Sequence, residues 1–163
     1  ADKVGVNTAA VEEPALLTRL AERFGSQCVV LSVDARRVVD GEGRPRWEVV
    51  TQGGRTGTGR DALAWIQDGV ARGAGEILLT SIDADGTRAG YDLELLAAVC
   101  ASVTVPVVAS GGAGTIDHLA EALAADASAV LAASIFHEST YTPDDVKREL
   151  QRRGFPMRLK EEA

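Results

Sequence analysis

A chain of 163 residues with 45% hydrophobic content is long enough to bury one core, roughly two-thirds of its unfolded surface, and predicts a single domain over 1–163. A net charge of −7 and a pI near 4.8, with no cationic stripe, argue against a nucleic-acid partner, and two cysteines, Cys28 and Cys100, argue against a disulfide framework and for a reducing compartment. The apolar runs reach only about eight residues where a membrane span needs ~20, and the N-terminus lacks the layout of a signal peptide, so a cytoplasmic protein with no membrane partner is expected.

In chain order, a β-branched apolar run, a small-residue turn and an amphipathic stretch recur five times, which predicts five βα units. Strands are expected over 4–7, 29–34, 77–82, 106–111 and 130–135, each apolar on both faces like buried parallel strands. Helices are expected over 14–24, 60–72, 93–102, 116–125 and 143–153, with apolar residues at helical spacing, as in Leu16, Leu17, Leu20 and Phe24. Thr142-Pro143 offers an N-cap followed by Pro at the first helical position, and Gly25, Gly73 and Gly154 stand where C-caps belong. The insert 36–59 has two β-like pieces, around Val38-Val39 and over 47–51, joined by Asp40-Gly41-Glu42-Gly43, and reads as a hairpin. Its end, 52–59, holds four glycines and reads as an active-site loop.

Five parallel βα units do not close a barrel, and an open sheet of such strands exposes two edges. Ala1-Asp2-Lys3 also runs straight into a strand. The expected fold class is therefore α/β, an incomplete (β/α)8 TIM barrel made of five C-terminal βα units, strands 4–8, with a β-hairpin insert. A doubly wound, flavodoxin-like sheet is the alternative.

In parallel α/β folds ligands bind beyond the carboxyl ends of the strands, so the residues that matter stand where each apolar run stops. Aligning 1–8 with 127–134 puts Thr8 on Ser134, which suggests two equivalent anion sites, or else two helix caps. Ala109-Ser110-Gly111-Gly112-Ala113-Gly114 lets backbone N–H groups approach an oxyanion, and with Ala133-Ser134 ending the next strand the pair favours a phosphate site over a plain tight turn. Asp34 closes an apolar run and is placed for proton transfer, although a helix cap or a carboxylate paired with Arg36 or Arg37 fits the sequence as well. The run 80–87 holds two carboxylates and three hydroxyls, but no His or Glu cluster supports a metal, and none is expected.

These segments together resemble the cyclase subunit of imidazole glycerol phosphate synthase. The resemblance is carried by Lys3-Val4-Gly5-Val6-Asn7-Thr8, Ser32-Val33-Asp34-Ala35-Arg36, Glu76-Ile77-Leu78-Leu79-Thr80-Ser81-Ile82-Asp83, Asp85-Gly86-Thr87, Gly90-Tyr91-Asp92, Ala109-Ser110-Gly111-Gly112-Ala113-Gly114 and Ala132-Ala133-Ser134-Ile135-Phe136-His137. It covers essentially the whole chain, as the portion of the family from its fourth strand onward.

The resemblance implies a lyase of histidine biosynthesis that combines ammonia with a bisphosphorylated ribulosyl aminoimidazole carboxamide substrate, yielding imidazole glycerol phosphate and aminoimidazole carboxamide ribotide without a cofactor. Asp34 would be one of two catalytic aspartates, the other standing on a first strand outside this sequence, so the chain alone is expected to be inactive. Asn7 and Thr8 on one side, and Ser110, Gly111, Gly112, Ala133 and Ser134 on the other, would hold the two phosphates, with Thr80, Asp85 and Gly86 lining the groove between. Lys3 and Glu76 would belong to a charged ring that admits ammonia from a docked glutaminase subunit, and Asp2 to the docking face. The alternatives are the sister phosphoribosyl isomerase of the same pathway, which shares the Asp-Gly-Thr and Ser-Gly-Gly elements, and a non-catalytic fragment that self-associates through its open edges.

Overall fold

The computed structural model describes residues 1–137 and 141–159. Its strands are β1 (Val4–Val6), β2 (Val29–Val39), β3 (Pro45–Thr51), β4 (Thr56–Asp61), β5 (Glu76–Ser81), β6 (Val107–Ser110) and β7 (Ala129–Val130). Its helices are α1 (Thr8–Glu12), α2 (Ala15–Phe24), α3 (Ala62–Ala71), α4 (Leu93–Ser102), α5 (Ile116–Ala124), α6 (Ser134–His137) and α7 (Pro143–Arg152). None of these helices is long and apolar enough to cross a membrane.

All seven strands form one mixed sheet. Five of them, β1, β2, β5, β6 and β7, are parallel and lie side by side in chain order. A doubly wound sheet reverses its order at a switch point. This sheet has no reversal, so the flavodoxin-like alternative is overturned. β2 is long enough for three partners: Val29 to Leu31 pair with β1, Val30 to Ala35 with β5, and Asp34 to Val39 with β3. Since β5 holds the other edge at Asp34 and Ala35, β3 continues the edge that β1 begins.

The helices cover one face of the parallel strands. Val29, Leu31, Val33, Ala35, Ile77, Leu79, Val107 and Ala109 are buried in one cluster with Leu17, Trp65, Ile66, Leu96, Val99, Leu119 and Leu150 from the helices. Of the alternate positions, Val30 is buried, while Ser32, Asp34, Leu78, Thr80, Val108 and Ser110 are only partly buried. The expectation of strands apolar on both faces is therefore corrected: period-two alternation gives this sheet a dry face under the helices and a second, half-polar face.

The caps follow the sequence signals. Thr142 caps α7 in a reciprocal box with Asp145, with Pro at the helix start, and Gly25, Gly73 and Gly154 end their helices at positive φ. Three expectations change. The strand expected over 130–135 shrinks to Ala129–Val130, because the chain turns into α6 at Ser134. A short helix, α1, begins at Thr8 immediately after β1. The glycine-rich run 52–59 is a turn followed by β4, which pairs antiparallel with β3 through Thr51 and Thr56 and through Val50 and Gly57.

Gly69 shows how closely α3 lies on the sheet. A Cβ added there would run into the Leu31 side chain, which is fully buried. Alanine would favour the helix by about 1 kcal/mol, whereas overpacking a full core costs roughly 1–3 kcal/mol. Gly69→Ala is therefore expected to lower stability despite its better helix propensity, as a reduced denaturant midpoint at unchanged m-value shows.

Candidate active site at the strand exits

The carboxyl ends of the parallel strands bring the candidate residues into one row. Ladder register sets Asp34 beside Thr80 and Thr80 beside Ser110, all on the half-polar face, so adjacent members stand roughly 4.8 Å apart. Asn7 follows β1 directly, and its side-chain amide donates to Asp34 Oδ2 at 3.0 Å. Asn7 Oδ1 is buried without a partner, an acceptor left unused at the site.

Asp34 is half-buried, and its carboxyl is pushed up from its ordinary value. Burial is the main cause, and the nearby Asp85 charge adds to it, while the Asn7 hydrogen bond opposes both. Arg36 pairs with Glu48, and Arg37 pairs with Asp92 and Glu94. Neither arginine neutralises Asp34, and Asp34 sits within β2 rather than at a helix start, so both structural explanations for it fail. What remains is a carboxylate in the exit row whose main perturbation is burial and whose one side-chain hydrogen bond comes from Asn7.

Thr8 and Ser134 prove equivalent in local structure. Each is the first residue of a short helix after a strand exit, and in each case the preceding residue's carbonyl, that of Asn7 or Ala133, accepts the first helical N–H bonds. The cap position thus belongs to Asn7 and Ala133, and neither hydroxyl is needed for capping. The Thr8 hydroxyl instead meets the Gln52 N–H at 3.5 Å, from the turn before β4. Gly54 of that turn lies against Ile82, so the glycine-rich turn reaches from the β1 exit to the β5 exit. Of the run 52–59 expected to be a loop, residues 52–55 form the turn and β4 takes the rest.

On the other side an open cleft of ≈ 380 Å³ is lined by Asp85, Gly86, Arg88, Ser110, Gly111, Gly112, Ala113, Ala132, Ala133 and Ser134, among others. Gly111 and Gly112 both have positive φ. A Cβ on Gly111 would stand 2.7 Å from the Ser81 carbonyl oxygen, and one on Gly112 would strike the Gly90 carbonyl. Only glycine fits, because the Ser81 and Gly90 backbone packs against this turn where a side chain would stand. Asp83 of the same acidic run accepts the Arg37 backbone N–H at 2.6 Å, so the two carboxylates of 83–85 serve different neighbours. Among the described residues no group of three His, Cys, Asp or Glu could hold a metal ion.

At the opposite ends of the strands, Lys3 Nζ and Glu76 Oε2 form an ion pair at 2.5 Å that bridges the starts of β1 and β5 across β2. Glu76 is largely covered while Lys3 is half exposed, and Asp2 is exposed beside it. An exposed pair of this kind contributes at most about 1 kcal/mol to stability, so its placement on the half-polar face is the informative property.

Two features escaped the sequence reading. Trp47 of β3 is buried, donates its indole N–H to Asp92 at 3.0 Å and carries the Arg37 guanidinium 5.0 Å from its ring centre, which locks the hairpin to the start of α4. Tyr91 is buried and donates its hydroxyl to the Leu131 carbonyl at 2.8 Å. An aromatic residue inside an insert or a loop is the one signal that could have marked either.

A model of the histidine biosynthesis protein family matches residues 1–142. The chain is 59% identical over 160 residues to the imidazole glycerol phosphate synthase subunit HisF of Mycobacteroides abscessus, covering 97% of this chain and 62% of that protein. It is 55% identical to the subunit of the same name from Thermobifida fusca over 159 residues and 59% identical to that of Frankia casuarinae over 158, in both cases covering 97% of this chain and 62% of the relative. The chain thus spans about three-fifths of the length of these curated relatives. With a family model matching 142 of its 163 residues, the chain belongs to the histidine biosynthesis protein family.

Proposed function

We propose that this chain forms the catalytic wall of an imidazole glycerol phosphate synthase cyclase. On this reading its five parallel strands are consecutive staves of a (β/α)8 barrel, and the half-polar face is the barrel interior. The chain-order sheet and the placement of every packed helix on one face support this, because a barrel is the fold that uses both. The single observation that carries the function is the exit row: Asp34, held by Asn7 while Arg36 and Arg37 pair with other carboxylates, lies between a strand-exit hydroxyl at Thr8 and a glycine cleft at Ser110, Gly111, Gly112, Ala133 and Ser134. A substrate with a phosphate at each end spans such a row with its reactive middle at Asp34.

In this scheme the two ends anchor the phosphates, Thr80, Asp85 and Gly86 line the groove, and Asp34 exchanges protons with the substrate as ammonia adds and the imidazole ring closes. Ammonia enters from the far side, where Lys3 and Glu76 form a gate on the interior face and Asp2 belongs to the surface that receives a glutaminase subunit.

Ammonium salts together with the bisphosphorylated ribulosyl substrate test this in the protein that contains this chain. Imidazole glycerol phosphate and aminoimidazole carboxamide ribotide are expected in equal amounts, and none without ammonia. Conversion of the ribosyl precursor to the ribulosyl compound, independent of ammonia, would assign the chain to the sister isomerase instead. The gate makes a further prediction: Glu76→Gln is expected to change stability by no more than about 1 kcal/mol. It should leave turnover with added ammonium salts intact while uncoupling glutamine-driven turnover, seen as glutamate released without imidazole product.

A further inference from the structure

We propose that Tyr91 is a positioning residue for the phosphate cleft, its hydroxyl fixing the backbone where β7 ends; the proposal rests on reading that cleft as an anion site. β7 has only two residues in its ladder with β6, so the segment that carries Ala133 and Ser134 leaves the sheet almost at once. Two hydrogen bonds hold the departure point. The Leu131 N–H donates to the Ala109 carbonyl at 2.8 Å, and the Leu131 carbonyl accepts the Tyr91 hydroxyl at 2.8 Å. The Leu131 side chain itself is 45% exposed and packs too little to fix the segment.

Tyr91 is suited to this task because its own position is over-determined. Its ring is in the main core, its neighbour Gly90 donates its N–H to the Gly112 carbonyl at 2.9 Å, and its other neighbour Asp92 caps α4 and holds Trp47. One tripeptide therefore ties together the glycine turn after β6 and the exit of β7, the two walls of the same cleft. Anion recognition by backbone N–H groups depends on their mutual placement to within a fraction of an ångström, so a tether between the walls acts on affinity.

Tyr91→Phe keeps the ring and deletes only the donor. Inorganic phosphate is titrated into the protein containing this chain and followed by NMR at the amides of 110–112 and 132–134. The variant is expected to bind roughly 2- to 10-fold more weakly than wild type, the equivalent of one neutral hydrogen bond. Hydrogen exchange should quicken at the amides of 132–134 and stay unchanged in β5 and β6. With substrate, KM should rise by the same factor at unchanged kcat. A purely structural tyrosine gives a lower unfolding midpoint with wild-type phosphate affinity, and that result overturns the proposal, as does a fall in kcat at constant KM. If wild type binds no phosphate at these amides, the reading of the cleft fails and the tether goes with it.

Discussion

Asp34→Asn is expected to lower ammonia-dependent turnover by ~10²–10⁴-fold, the usual loss when one positioned general acid or base is removed. The side chains are nearly isosteric and Asn7 can still donate to the new amide oxygen, so substrate affinity should change little and the loss should fall on kcat. The same substitution should stabilise the protein at neutral pH. Burial raises the Asp34 pKa in the folded state above that of the unfolded chain, so between the two values the folded protein holds the extra proton and stability falls as pH rises. Above the window wild type carries the full penalty of a half-buried charge, and below the ordinary carboxylate range it carries none. Asn has no such penalty at any pH. Thermal unfolding of the two proteins should therefore differ most near pH 7, with the variant higher, and converge on acidification. Lower activity with equal or lower stability at pH 7 would mean that the carboxylate holds the fold.

Ser134→Asp is expected to weaken binding of the bisphosphorylated substrate far more than Ser134→Ala. A carboxylate about 4 Å from a phosphate costs between ~1 kcal/mol in water and ~4 kcal/mol at a partly desolvated site, roughly five-fold to 10³-fold in affinity. Alanine removes one neutral hydrogen bond, about 1 kcal/mol. Folding should be indifferent to both changes, because Ala133 and not Ser134 stands in the cap position of α6. Equal KM values for the two variants would show that no phosphate sits at this strand exit.

How far these features were legible in the sequence follows from how local their causes are. The order of the βα units is written in local periodicity, and so are the caps at Thr142, Gly25, Gly73 and Gly154. β4 is not, since Gly57 and Gly59 offset the strand preference of Thr56 and Thr58. Its partner β3 imposes the strand, and a Cβ at Gly57 would meet Glu48 Oε1 at 2.7 Å and Arg36 Nη2 at 3.1 Å, so glycine stands where that ion pair crosses it. The half-polar face was present all along as Ser32 and Asp34 alternating with Leu31 and Val33, yet the apolar runs around them masked it. The strand-exit rule found Asp34, Thr80 and Ser110 because it depends only on where each run stops. It could not find the Asn7 to Asp34 bond, 27 residues apart, or the Tyr91 to Leu131 tether, 40 apart. Such contacts are made by register between strands, and no local signal records them.

The most direct test of the central claim is isotopic. With ¹⁵N-ammonium and the bisphosphorylated ribulosyl substrate, the protein containing this chain should yield imidazole glycerol phosphate carrying one ¹⁵N atom, and aminoimidazole carboxamide ribotide carrying none, as mass spectrometry of the separated products reads directly. Unlabelled imidazole product, or conversion of substrate that proceeds equally well without ammonia, would contradict a cyclase built on the Asp34 row.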